Sequence, residues 1–224
     1  MRIISLFCAV ICTTILSAQP PLPGETPVDP KDYYPLKLNS SWTYEYPGGT
    51  FTMEIKKTEK IGEHLNAFRI DVLDKAGKVK FFEHVVVQDD GVYRVSVRGQ
   101  EVKPGMKFIQ MPIPEKGQSW ETESEVSMKK IKGKFTYEGE VKVKVPMEVD
   151  KKGEVTAWKI SSQTIDVSGQ NVSMSYYFAK DIGMVQQDIT VGVRKTEIKL
   201  KSFKIPQPPP KKPTPKKDDS KKKP

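Results

Sequence analysis

The chain has 224 residues, of which 37% are apolar and 29% charged, with a formal net charge of +9. That balance suits a globular domain somewhat more polar than average and excludes a disordered polyelectrolyte. The one long apolar run, residues 3–16, falls short of the ~18 residues a transmembrane helix needs, so none is expected in the mature chain.

Arg2 ahead of that run and Ser17-Ala18 behind it complete the pattern of a secretory signal peptide over residues 1–18, cut near Ala18–Gln19. Lipoprotein processing would want a small residue before its cysteine, and Cys12 follows Ile11. Both cysteines, Cys8 and Cys12, lie inside the leader. The exported chain is therefore expected to carry no disulfide, thiol nucleophile or thiolate metal site. His64 and His84 stand twenty residues apart and form no local metal pair. No serine sits in a G-x-S-x-G elbow. A Ser-His-acid arrangement assembled from distant positions stays open, because such triads are built by the fold. No cofactor is expected.

Proline marks the boundaries. Six of eighteen prolines fall in residues 19–35 and seven in residues 205–224, leaving five in the 169 residues between. Proline lacks the amide hydrogen that a sheet ladder needs, so residues 19–35 read as a linker and residues 36–204 as the domain.

The domain opens on Ser41-Trp42-Thr43-Tyr44-Glu45-Tyr46, a strand that puts Trp42, Tyr44 and Tyr46 on one face. Phe51, Met53 and Ile55 alternate with polar residues, as do Phe68, Ile70 and Val72. A short helix is conceivable near residues 61–67. Glu121, Glu123 and Glu125 also alternate, placing three carboxylates on one strand face near Lys129, Lys130, Lys132 and Lys134. Val141-Lys142-Val143-Lys144-Val145 is the cleanest period-two run, and Val172, Met174, Tyr176 and Thr196, Ile198, Leu200 follow. Turn signals separate these runs at residues 47–49, 74–77, 89–91, 150–153 and 168–169. The pattern predicts a mainly β domain with little helix: one antiparallel sheet of roughly nine to eleven strands, curved into a half-barrel or barrel because an open sheet that wide curls.

The tail, residues 205–224, alternates proline with Lys211, Lys212, Lys216, Lys217, Lys221, Lys222 and Lys223 against two aspartates. It is expected to be extended and disordered. Without it and the leader, residues 19–204 hold 29 basic and 26 acidic side chains. Most of the basicity is thus a tail property, which argues against a nucleic-acid-binding domain. The seven lysines suit an electrostatic tether to an envelope polymer or anionic membrane surface.

Three stretches carry a resemblance. Tyr33-Tyr34-Pro35-Leu36, then Ser41-Trp42-Thr43-Tyr44, then Tyr176-Tyr177-Phe178-Ala179-Lys180-Asp181-Ile182-Gly183-Met184-Val185 resemble secreted bacterial proteins loosely grouped as TapB-like. The Val143-Lys144-Val145-Pro146 strand before Trp158-Lys159-Ile160 is similar to that family's V-x-V-P pattern, with Met147-Glu148 where alanine-glycine is usual. The resemblance implies a curved antiparallel sheet, a bacterial periplasmic or cell-surface location, a partner protein associated with pili, and no nameable enzyme activity.

The leading expectation is a non-catalytic exported envelope protein that binds a ligand or partner. A carrier of an apolar or lipid ligand is one alternative, with Trp158, Ile160, Met174 and Tyr176 lining its cavity. The other is a carboxylate hydrolase of envelope polysaccharide using Glu121, Glu123 or Glu125, which requires the pair to face each other across a groove.

Overall fold

A computed structural model of the chain describes residues 29–62, 64–167 and 170–206. The signal-peptide stretch, most of the proline-rich linker and nearly all of the basic tail lie outside the described residues.

Among the described residues twelve antiparallel strands form one closed barrel, more than the nine to eleven expected. They are β1 (Ser41–Tyr46), β2 (Gly49–Ile61), β3 (His64–Leu73), β4 (Val79–Gln88), β5 (Gly91–Val97) and β6 (Gln100–Gln110). The second half is β7 (Ser119–Val126), β8 (Lys129–Lys144), β9 (Glu154–Val167), β10 (Gln170–Ala179), β11 (Gly183–Val191) and β12 (Arg194–Lys204). Each strand pairs with its sequence neighbours. The ring closes where β1 pairs with β12, Trp42 opposite Phe203 and Tyr44 opposite Leu200. The weakest seam is β6–β7, joined by two residue pairs, Val102 with Val126 and Lys103 with Glu125. There Pro104 has no amide to give the ladder.

The missed turns explain the strand count. The β7–β8 turn is Ser127-Met128, both with positive φ, a conformation normally signalled by asparagine, aspartate or glycine. Among the described residues β2 ends at Ile61 and β3 begins at His64, with no helix over 61–67. The β2–β3 hairpin outruns its pairing with β4, whose last partners are Phe68 and Val85. Ile61 and Ala67 instead pack on Val86, Tyr93 and Val95. The tip of the hairpin thus covers the outer wall of β4–β5.

Alternation sends Trp42, Tyr44, Ile55, Ile70, Phe108, Phe135, Ile160 and Phe178 inward to one continuous core. One end of the barrel is plugged by residues that the proline count assigned to the linker. Pro30–Tyr33 forms α1, a four-residue helical turn whose N-cap Asp29 accepts from the Lys31 amide. Its last residue, Tyr33, stacks on Trp158 with ring centroids 3.3 Å apart, and Tyr34 just beyond sits edge-on to Phe108 and Phe178. Leu36 is buried as well. Two tyrosines and a leucine supply enough apolar area to hold the segment down despite its prolines. The Asp181 amide donates to the Asp32 carbonyl at 2.6 Å, and Trp42 Nε1–H donates to the Ile182 carbonyl at 2.6 Å. These bonds fasten the plug and β1 to the β10–β11 turn.

Gly91 opens β5 with φ +149°, and a Cβ there would lie 2.1 Å from the Ile109 carbonyl oxygen. Gly91→Ala is expected to lower stability by about 2–3 kcal/mol, read from urea unfolding. An unchanged midpoint would show that the β5–β6 ladder yields freely at that point.

Candidate functional site

The lumen is not fully packed. Above the Tyr34, Phe108 and Phe178 floor lies a cavity of about 240 Å³, walled by Phe51, Val72, Phe81, Ile189 and Ile198 among others. These wall residues sit toward the ends of their strands that face the β1–β2, β3–β4 and β11–β12 turns. The cavity therefore runs toward the end of the barrel opposite the plug.

Three polar side chains reach this apolar space: Glu83 of β4, Arg94 of β5 and Gln187 of β11. Inward positions on β4 are Phe81, Glu83 and Val85, and Val85 is paired with Arg94, so both charges are aimed into the lumen by strand alternation. Arg94 Nε lies 2.7 Å from Glu83 Oε2. The contact is a close ion pair rather than an aligned hydrogen bond, and the buried Nε–H has no in-line acceptor. The guanidinium also lies 5.3 Å from the Phe108 ring centre. Burial works against the charge of Arg94, but Glu83, Tyr176 and Tyr34 outweigh it and hold the group above its ordinary pKa. Tyr34 is pushed upward, by burial first and then by Glu83. Tyr44 is raised by burial too, and its hydroxyl donates to the Met184 carbonyl at 2.9 Å. Tyr34 and Tyr44 are thus held as neutral phenols.

The four residues expected to line a ligand cavity divide. Tyr176 lines it. Met174 adjoins it, its sulfur accepting from Tyr176 Oη at 3.4 Å and from Gln187 Nε2 at 3.6 Å. Trp158 and Ile160 do not line it. Trp158 is covered by Tyr33 and flanked edge-on by Tyr137, and Ile160 is wholly buried in the core. Tyr33 of the plug is what covers Trp158. The lysines at 211, 212, 216, 217, 221, 222 and 223 lie outside the described residues.

Glu121, Glu123 and Glu125 stand exposed on the outer wall. Their cross-strand partners are Lys134, Lys132 and Lys130, with Glu123 and Lys132 3.0 Å apart. On a convex face such pairs contribute little beyond solubility. The facing carboxylates of a glycosidase groove are not formed by these three.

A second polar cluster, unsignalled in the sequence, lies on the outer wall under the β2–β3 hairpin. His84 Nε2 is 2.8 Å from Glu59 Oε2, and His84 Nδ1 is 2.9 Å from Ser96 Oγ. Serine, histidine and glutamate are thus in line. Ser96 and His84 are each about 1% exposed, however, so the hydroxyl is closed to any substrate. The line works as a brace. Lys57 pairs with Glu59; Arg69 Nη1 lies 3.7 Å from Glu59, its Nε 2.7 Å from Asp71, and its guanidinium 3.9 Å from the Phe82 ring centre. The partners of His84 are twelve and twenty-five residues away, a separation that only strand register brings together.

The hydrogen bond from Lys57, then that from His84, hold the Glu59 carboxyl down at a pKa of about 2, against 4.5 ordinarily. A depressed carboxylate stabilises the fold above its unfolded pKa and loses that contribution as pH falls through the folded one. Glu59→Gln is therefore expected to cost about 1–2 kcal/mol at pH 7, the carboxylate being partly solvated. The difference from the parent should close as the pH is lowered from 4.5 toward 2. Urea midpoints across that range measure it, and a gap independent of pH would remove Glu59 ionisation as its cause.

No family model matches the chain, and no curated protein matches it significantly. Two solved structures show a distant likeness of outline. One is a presumed exported protein with a YmcC-like fold from Bacteroides fragilis, 11% identical, covering 77% of this chain and 99% of that one at a TM-score of 0.44. The other is a presumed lipoprotein from Parabacteroides distasonis, 7% identical, covering 77% of this chain and 98% of that one at a TM-score of 0.44.

Proposed function

We propose that this chain is an exported, non-catalytic binding protein of the bacterial envelope, and that its lumen takes up a small amphipathic molecule. The leader pattern supports export. The observation that carries the binding reading is the 240 Å³ cavity with an ion pair on its wall, inside an otherwise packed barrel. Ligand pockets commonly combine mostly apolar walls with a few fixed polar groups, at volumes of ~300–1,000 Å³. A space just below that range suits a small molecule or the terminal segment of an acyl chain. Its polar group would meet the Arg94 guanidinium, whose Nε–H has no in-line acceptor, and its body would lie against Phe51, Phe81 and Ile198.

The basic tail belongs to the same proposal, as a tether acting by charge to an anionic wall polymer. A partner protein of the kind the TapB-like resemblance implies would engage the same exported domain. Tethering to isolated cell wall should weaken steeply as salt rises past ~0.15 M, where the Debye length is about 8 Å. Truncation after Pro206 should abolish it. Equal retention of truncated and full-length protein would reduce the tail to a solubilising end.

For the lumen, the apolar fluorophore N-phenylnaphthylamine should bind the full chain, and native mass spectrometry of protein from the exporting cell should recover a bound small molecule. Ile198→Trp fills the cavity from its wall and should weaken probe binding about tenfold or more while leaving the thermal midpoint within a few degrees. Absence of both probe binding and an extractable compound, or an Ile198→Trp variant that binds as the parent does, would overturn the reading.

A further inference from the structure

Up-and-down topology gathers the β1–β2, β3–β4, β5–β6, β7–β8 and β11–β12 turns at the open end of the barrel. Five of the seven large apolar side chains exposed among the described residues belong to that end: Tyr46, Val79, Met128, Val191 and Val193. Val193 is fully exposed and Met128 is 91% exposed, each at the tip of a two-residue turn. Neither has a neighbour to pack on. The plugged end holds two, Leu38 and Met147.

Charge follows the same division. In the five open-end turns, each taken with its flanking residues, Lys75, Lys78, Arg98, Lys129 and Arg194 face one acid, Asp74. That acid is engaged by Lys80 and by the amides of Ala76 and Lys78. At the plugged end the β4–β5, β6–β7, β8–β9 and β10–β11 loops, counted the same way, hold seven acidic and five basic side chains. Apolar tips ringed by lysine and arginine are the chemistry of a surface that inserts shallowly among lipid headgroups while its cations meet anionic phosphates. A folded protein partner would instead be expected to meet a flatter apolar patch than isolated tips provide.

We infer that the open end of the barrel docks on an anionic lipid bilayer, with Val193 and Met128 as its inserting tips. Docking there would set the mouth of the cavity against the membrane. The inference rests on the rim alone, and it stands whether or not the lumen holds a ligand.

The test uses the full chain and vesicles of phosphatidylcholine, with or without roughly a quarter of phosphatidylglycerol. Because Val193 and Met128 are exposed, their substitution leaves the core untouched. Val193→Trp should shift its fluorescence to the blue on the anionic vesicles and not on the neutral ones. Met147→Trp, at the opposite end, should not shift on either. The double variant Val193→Asp, Met128→Asp should lose about tenfold or more in flotation with anionic vesicles, with the tail lysines intact. Flotation of the parent without a Val193→Trp shift, or undiminished flotation of the double variant, would assign membrane binding to the tail and overturn the inference. Failure of the fluorophore to enter the lumen would leave these readouts unaffected, so the two proposals fail separately.

Discussion

Pairing of Ser41–Glu45 with Lys199–Lys204 turns a meander into a ring, and the ring fixes how much space the interior must fill. A barrel of about eight strands is just wide enough for its own side chains to fill, and wider barrels leave a lumen. Twelve strands exceed that limit. The chain answers with size. Tyr44, Phe108, Phe135 and Phe178 are fully buried, and Trp158 and Tyr176 nearly so. Even these leave one end hollow enough to admit Tyr34, which arrives from outside the sheet. The 240 Å³ cavity is what remains when aromatics and plug have filled the rest.

Within that remainder the Arg94–Glu83 pair is the part that stability alone does not explain. Well-packed apolar residues in place of a buried pair are often neutral or stabilising, whereas removing one partner leaves a charge stranded at a cost of ~3–5 kcal/mol. The pair holds together because Val85 and Arg94 share a register position two residues along from Glu83. Its bent geometry leaves the buried Nε–H without an in-line acceptor. The outer cluster of Glu59, His84 and Ser96 differs in kind. Its polar atoms find partners within the cluster, and His84 and Ser96 are buried while Glu59 stays partly solvated. One cluster is satisfied; the other is partly unsatisfied and faces a cavity.

Period two made the strands legible, because a wall with one dry face forces alternation: Val141, Val143 and Val145 show it without exception. Curvature was legible too, from strand number. Ring closure was not, since no local pattern distinguishes β1 and β12 from the free edges of an open sheet. Ser127-Met128 turns without a turn signature, so the boundary between β7 and β8 has no local mark. The plug was hidden by composition, because six prolines in seventeen residues outweigh two tyrosines in any count of linker character. A charged residue at an inward position is visible only once the register is known. The Tyr33-Tyr34, Trp42 and Phe178–Gly183 stretches fall together in space. Tyr33, Tyr34, Trp42, Phe178, Asp181 and Gly183 meet at the plugged end.

Sealing one end gives the barrel a direction. Asp29 leads into the plug, and Lys204 pairs with Ser41 beside it, so the described chain both enters and leaves at the closed end. Whatever the proline-rich segments on either side attach to, they pull on that end. The opposite end keeps the cavity, the exposed valines and the excess of basic turns free of both connections. If the proposed tether holds, its root lies at the sealed end, and the proposed docking of the open end would use the face away from that root.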